Sequence, residues 1–149
     1  MSAPDPIRAL YQALIVEHGK APRRRGPLPG ATHEATVDNP LCGDRVTFRL
    51  IVDGDQVRDA ATEGQGCALS VAAASLLADR LAGASLAEAR ALIARFARFV
   101  REAPGAPVPD DLGDLSAFVG VREFRSRQAC AALPAVAFEE ATGGSCREG

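Results

Sequence analysis

The sequence predicts an α+β fold in which an antiparallel β-hairpin offers one face to covering helices. Three observations point there. Val46, Phe48, Leu50 and Val52 alternate with Arg45, Thr47 and Arg49, the period of a strand with one buried face. Asp53-Gly54 follows directly and reads as a two-residue hairpin turn, because a type I′ turn needs positive φ at both central positions. Two longer segments, 67–81 and 85–101, then carry apolar residues in helical patterns between glycines and a Pro/Gly-rich loop.

Composition agrees with one globular domain, 1–149, since 149 residues lie within the roughly 100–200 residues usual for one domain. A chain this long buries about 70% of the surface its unfolded form exposes, so it needs no disulfide staples. Seventeen Lys+Arg against 19 Asp+Glu leave a net charge of −2. That balance offers no general attraction for nucleic-acid phosphates or anionic lipid. No stretch approaches the ~20 apolar residues of a membrane span. The N-terminal residues carry acid and proline instead of a basic segment before an apolar run, so no secretory signal is expected. A cytoplasmic, reducing compartment is the expectation, and there the four cysteines serve better as ligands or nucleophiles than as disulfides.

In chain order, residues 6–18 place Leu10, Leu14 and either Tyr11 or Ile15 on one helical face, with Gly19 as a stop. Residues 20–32 read as a loop, His33 falls in a loop as well, and the basic run Arg23-Arg24-Arg25 is a solvated segment or a docking patch for an acidic partner. The strand from Asp44 turns at Asp53-Gly54 and returns over 55 to about 62, broken by Gly64-Gln65-Gly66. Residues 67–81 are apolar nearly all round and predict a buried helix. Ser85 with Glu88 forms a capping box, in which each side chain satisfies the other residue's backbone N–H. The helix it opens runs to about Arg101, with Leu86, Ala89, Leu92, Ile93, Phe96 and Val100 inward and Arg90, Arg98 and Arg101 outward. A loop over 103–113, a short helix over about 114–119 and a last helix over 128–141 complete the expectation, with 143–149 as a flexible tail.

The hairpin brings chemistry together. With the turn at Asp53-Gly54, Val52 pairs with Asp55, Phe48 with Asp59 and, if pairing continues, Cys42 with Gln65. That places Cys42 near Cys67. Cys42 and Asp44 share parity with Val46 and Phe48, and Gly43 between them lets the backbone bend both side chains inward. Thiolates with one carboxylate suit tetrahedral zinc, and the same soft donors hold iron–sulfur clusters. A helix dipole beginning at Cys67 favours its thiolate. Cys42, on the glycine-flanked loop, is the candidate nucleophile. The alternative is that both cysteines are small buried hydrophobes.

Local sequences then become recognisable. Asn39-Pro40-Leu41-Cys42-Gly43-Asp44, Gly64-Gln65-Gly66-Cys67-Ala68-Leu69-Ser70 and Arg127-Gln128-Ala129-Cys130-Ala131-Ala132-Leu133 resemble the three cysteine motifs of the IscU/SufU (NifU N-terminal-like) iron–sulfur cluster assembly family. The 63 positions from Cys67 to Cys130, Arg127 three before the last cysteine, and Ala129 where IscU has histidine fit the SufU branch. The resemblance implies a small antiparallel β-sheet with helices packed on one face. It also implies zinc held by Cys42, Asp44, Cys67 and Cys130, with persulfide sulfur accepted on Cys42 from a PLP-dependent, SufS-like cysteine desulfurase and passed to downstream cluster assembly proteins. IscU-like proteins instead build a [2Fe–2S] cluster on equivalent ligands. Two departures stand out: Pro134 lies inside the last helix, where it removes a backbone donor, and Ala129 replaces the lysine common in SufU-like sequences.

Other residues draw plainer readings. Cys146 is an incidental exposed thiol near the chain end, and His18 a partner for the negative end of the first helix's dipole. Arg127, about one turn before Cys130, is either solvated or a stabiliser of a thiolate or persulfide. Three functions remain: a zinc-dependent sulfurtransferase, a [2Fe–2S] scaffold, and a structural zinc-binding interaction domain.

Overall fold

Alternation builds the sheet. In the computed structural model, residues 6–21, 24–39 and 43–143 are described, with side chains from residue 12 onward. Strands β1 (His33–Asn39), β2 (Asp44–Asp53) and β3 (Gln56–Gln65) form an antiparallel sheet in the order β1-β2-β3. Val46, Phe48 and Leu50 on β2 are fully buried, and Asp44 shares their face. The opposite face is polar. There Arg49 pairs with Glu63 at 2.6 Å, Arg45 with Asp38 at 2.7 Å, and the Thr36 and Thr47 hydroxyls meet at 2.7 Å. The Asp38 carboxylate raises the Arg45 pKa above its ordinary value, by hydrogen bond first and charge second.

β1 was not expected, and His33 begins it. Its alternation is weak because the inward side chains, Ala35, Val37 and Asn39, are small or polar and only half-buried. The hairpin is also shifted. Asp53 pairs with Gln56, so Gly54-Asp55 is the turn, and only Gly54 (φ 61) has positive φ, as a type II′ turn requires. A register irregularity between Ile51 and Val52 then skips Arg58 on β3. Phe48 therefore faces Thr62, and Gln65 faces Arg45, correcting the expected pairs. β3 runs through Gly64 and Gln65 instead of breaking there.

Helices cover one face. α1 (Pro6–Lys20) continues through Gly19, which lies against Ala68, where a Cβ on Gly19 would stand 3.2 Å from the Ala68 Cβ. Gly19 is thus a contact point, not a stop. His18 is buried and its Nδ1 lies 2.7 Å from the Ser75 Oγ, so it joins α1 to α2 (Ala68–Leu81) rather than facing solvent. α3 (Leu86–Phe99) opens on the expected capping box of Ser85 and Glu88. Its expected outward Arg90 is instead half-buried, donating to the Thr142 carbonyl at 2.9 Å. A 3₁₀ segment, Asp110–Glu123, kinks at Gly113 and is longer than the short helix expected there. α4 (Arg125–Ala141) starts three residues earlier than expected and runs through Pro134. α2 and α4 lie on the sheet, with the Phe48 and Phe138 rings edge-to-face at 5.7 Å.

Two arginines tie loops to the fold. Arg24 binds Asp59 at 2.6 Å and Asp79 at 3.2 Å, which ties the basic run to the fold; Arg23 lies outside the described residues. Arg122 is only 3% exposed. Its guanidinium donates to the carbonyls of Phe99, Ala106 and Pro107, pairs with Glu102 at 3.3 Å, and stacks 4.5 Å from the Phe99 ring centroid. Arg122→Ala would strand those carbonyls and is expected to cost about 3–5 kcal/mol in chemical denaturation. Arg122→Lys should recover only a minor part, since an ammonium cannot reproduce the planar fork of donors.

Candidate metal centre

Three donors meet at one end of the sheet. Asp44 opens β2 and is 1% exposed; Cys67 precedes α2; Cys130 lies in α4 and is 6% exposed. One carboxylate oxygen of Asp44 and the Sγ atoms of Cys67 and Cys130 all lie within 4.8 Å of one another. Cys67 is a free cysteine.

Each donor is held by its local structure. Continuing the β2–β3 register brings Asp44 opposite Gly66, whose φ of +106 turns the chain from strand into helix. A Cβ on Gly66 would overlap the Asp44 carboxylate, so only glycine permits this approach. The turn aims the Cys67 N–H at Asp44 Oδ1, 2.7 Å away. Cys67 is the N-cap of α2, its Sγ accepting from the Leu69 N–H at 3.3 Å. On the other carboxylate oxygen, the Ser70 hydroxyl lies 2.7 Å from Asp44 Oδ2 and 2.9 Å from the Cys130 carbonyl oxygen.

Other expected site residues are placed differently. Gly43 (φ +74) donates its N–H to the Asn39 carbonyl at 2.9 Å and lines an open cleft with Asp38, Asn39, Asp44, Arg45 and Gln65. Cys42 lies outside the described residues, as do Pro40 and Leu41 of its motif, Cys146, and residues 144–149 of the expected tail. The exposed Arg127 guanidinium stacks over the Phe124 ring at 4.7 Å, at the edge of a groove of about 180 Å³ lined also by Ile15, Leu69 and Val119. Sequence reasoning missed Gly66 and Ser70. The signal for Ser70 was a polar residue in the first turn of a helix whose first half is otherwise apolar.

The donors fit a metal ion. Tetrahedral zinc with sulfur at about 2.3 Å places its sulfurs about 3.8 Å apart, a separation that fits within the 4.8 Å bounding these donors. Two sulfurs and an oxygen leave one position of four for a further donor, and equally suit iron.

Residues 10–131 match the NifU-like N terminal domain family. The zinc-dependent sulfurtransferase SufU of Bacillus subtilis is 35% identical over 142 residues, covering 94% of each chain. The iron-sulfur cluster assembly scaffold protein IscU of Streptococcus pyogenes is 34% identical over 135 residues, 91% of this chain and 84% of that one. Among solved structures, the N-terminal part of a NifU-like protein from Brucella abortus superposes with a TM-score of 0.80 at 30% identity, covering 96% of this chain and 99% of the other.

Proposed function

The chain belongs to the NifU-like N terminal domain family, with the IscU and SufU iron–sulfur cluster assembly proteins, and on that premise we propose that it is a zinc-dependent sulfur acceptor. The partner proposed is a PLP-dependent, SufS-like cysteine desulfurase, and the recipients are downstream cluster assembly proteins. The observation that carries this reading is the convergence of the buried Asp44 and Cys130 and the half-buried Cys67 within 4.8 Å of one another. Cys42, two residues before Asp44 in the chain, is the proposed fourth ligand and the nucleophile.

A bound zinc ion would hold the clustered thiols as thiolates at neutral pH. The protein's own part is to gather and orient them. Asp44 is fixed through both carboxylate oxygens, Cys67 by its capping position, and Cys130 by α4 packed on the sheet. The Cys42 thiolate attacks the outer sulfur of the desulfurase persulfide. A new S–S bond forms as the old one breaks, and the desulfurase cysteine leaves as a thiolate. Cys42 then carries the persulfide without net oxidation, a step suited to the reducing cytoplasm. Arg127, on the same turn sequence that leads to Cys130, is a proposed stabiliser of that charge when partner and groove meet.

The test is to purify the protein without added metal, measure zinc and iron, and record the visible spectrum. The expected result is one zinc per chain, no colour, and desulfurase-dependent sulfur uptake lost in Cys42→Ala. A brown protein containing iron and sulfide would move the assignment to the [2Fe–2S] scaffold, which the same donors suit. Cys42→Ser damaging folding with no selective loss of sulfur uptake would instead support a structural zinc domain. Neither metal after reconstitution would overturn the shared site.

A further inference from the structure

Ser70 is fully buried in the first turn of α2, a placement that costs free energy unless its hydroxyl is hydrogen-bonded. Its Oγ reaches two acceptors from two other elements, Asp44 Oδ2 on β2 and the Cys130 carbonyl on α4. The hydroxyl has one proton and so donates to one of them at a time. The second acceptor follows from Pro134. In an α-helix the amide of residue 134 would donate to the carbonyl of residue 130, and proline has no amide hydrogen. The proline that looks like a flaw in α4 therefore leaves the carbonyl of a ligand-bearing residue to a side chain of α2.

We infer that Ser70 is a positioning residue of the metal centre, orienting the Asp44 carboxylate for the ion, and that Pro134 works with it by giving Ser70 a hold on the Cys130 backbone. Together with the Cys67 N–H on Asp44 Oδ1, this links the donors of β2, α2 and α4 through one carboxylate and one hydroxyl, whose proton serves Asp44 or the Cys130 carbonyl in turn. The inference rests on the metal-site reading above. Groups that orient a metal ligand typically change affinity by about 10–100-fold when removed.

The test measures zinc affinity by chelator competition on the full chain, and unfolding of the metal-free chain, for wild type, Ser70→Ala, Pro134→Ala and the double variant. Ser70→Ala should weaken zinc binding by about 10–100-fold, and Pro134→Ala should leave it near wild type. The loss of stability caused by Ser70→Ala should shrink in the Pro134→Ala background, because the amide of residue 134 then serves the Cys130 carbonyl. The zinc defect should persist there, because the Ser70 hydroxyl is still missing from Asp44 Oδ2. If Ser70→Ala alone does not fold, the double variant reports the affinity. Wild-type affinity in Ser70→Ala or in the double variant overturns the role of Ser70 and leaves the metal centre standing. A wild-type chain that binds neither zinc nor iron overturns the metal centre itself, and the inference with it.

Discussion

Gly66→Ala is expected to lower stability by about 4 kcal/mol and to abolish metal uptake in the same step. At φ +106 an alanine is strained by about 1–3 kcal/mol. Its Cβ would also overlap Asp44 Oδ1 and stand 3.1 Å from the Asp44 Cα, and overpacking of this kind adds about 1–3 kcal/mol. The Asp44 Cα is also in tight contact, so rotating the carboxylate away relieves only part of the crowding. Moving Asp44 breaks its bonds to the Cys67 N–H and the Ser70 hydroxyl together. Chemical denaturation with a parallel zinc titration checks both losses. Wild-type stability in Gly66→Ala would mean that the β3–α2 turn yields freely and does not set the approach of Asp44 to Cys67.

Cys130→Ala should separate metal binding from folding. Structural zinc sites in peptides bind with about 10–16 kcal/mol. Losing one of four donors at an equal share removes roughly 3–4 kcal/mol, about 10²–10³-fold in affinity. The metal-free protein should hardly change, because the side chain loses only one buried heavy atom and alanine is a good helix former. Zinc competition and thermal unfolding of the metal-free variant make the comparison. Cys146→Ala, in the same assay, should bind zinc as the wild type does. A Cys130→Ala chain with undiminished affinity would remove Cys130 from the centre.

The cysteine motifs, the inward run of β2 and the capping box at Ser85 were all legible from local pattern. Each depends on residues within a few positions of one another, where period and propensity act directly. Pattern also placed Asp44 on the buried face of β2, since side-chain parity is a property of the strand itself. The pairing inferred across the hairpin was wrong in detail. One extra residue at Arg58 and a turn moved one place along shifted every partner. A bulge depends on how the strand packs, and Arg58 carries no mark of it in sequence.

What the sequence by itself determined was the set of chemical groups and the order in which the chain presents them: a carboxylate at a strand's start, a thiol at a helix's start, and a second thiol far along the chain. What only the tertiary structure decided was their meeting, and the parts of Gly66, Ser70 and Pro134 in it. In sequence these three are a turn glycine, a buried serine and a misplaced proline. Their roles exist only between elements, where a missing Cβ lets Asp44 approach, a missing amide proton frees a carbonyl for Ser70, and one hydroxyl stands between β2 and α4. Contacts of that kind are set by the packing of α2 and α4 on the sheet, which comes from the burial of the whole apolar face and not from any local run of residues.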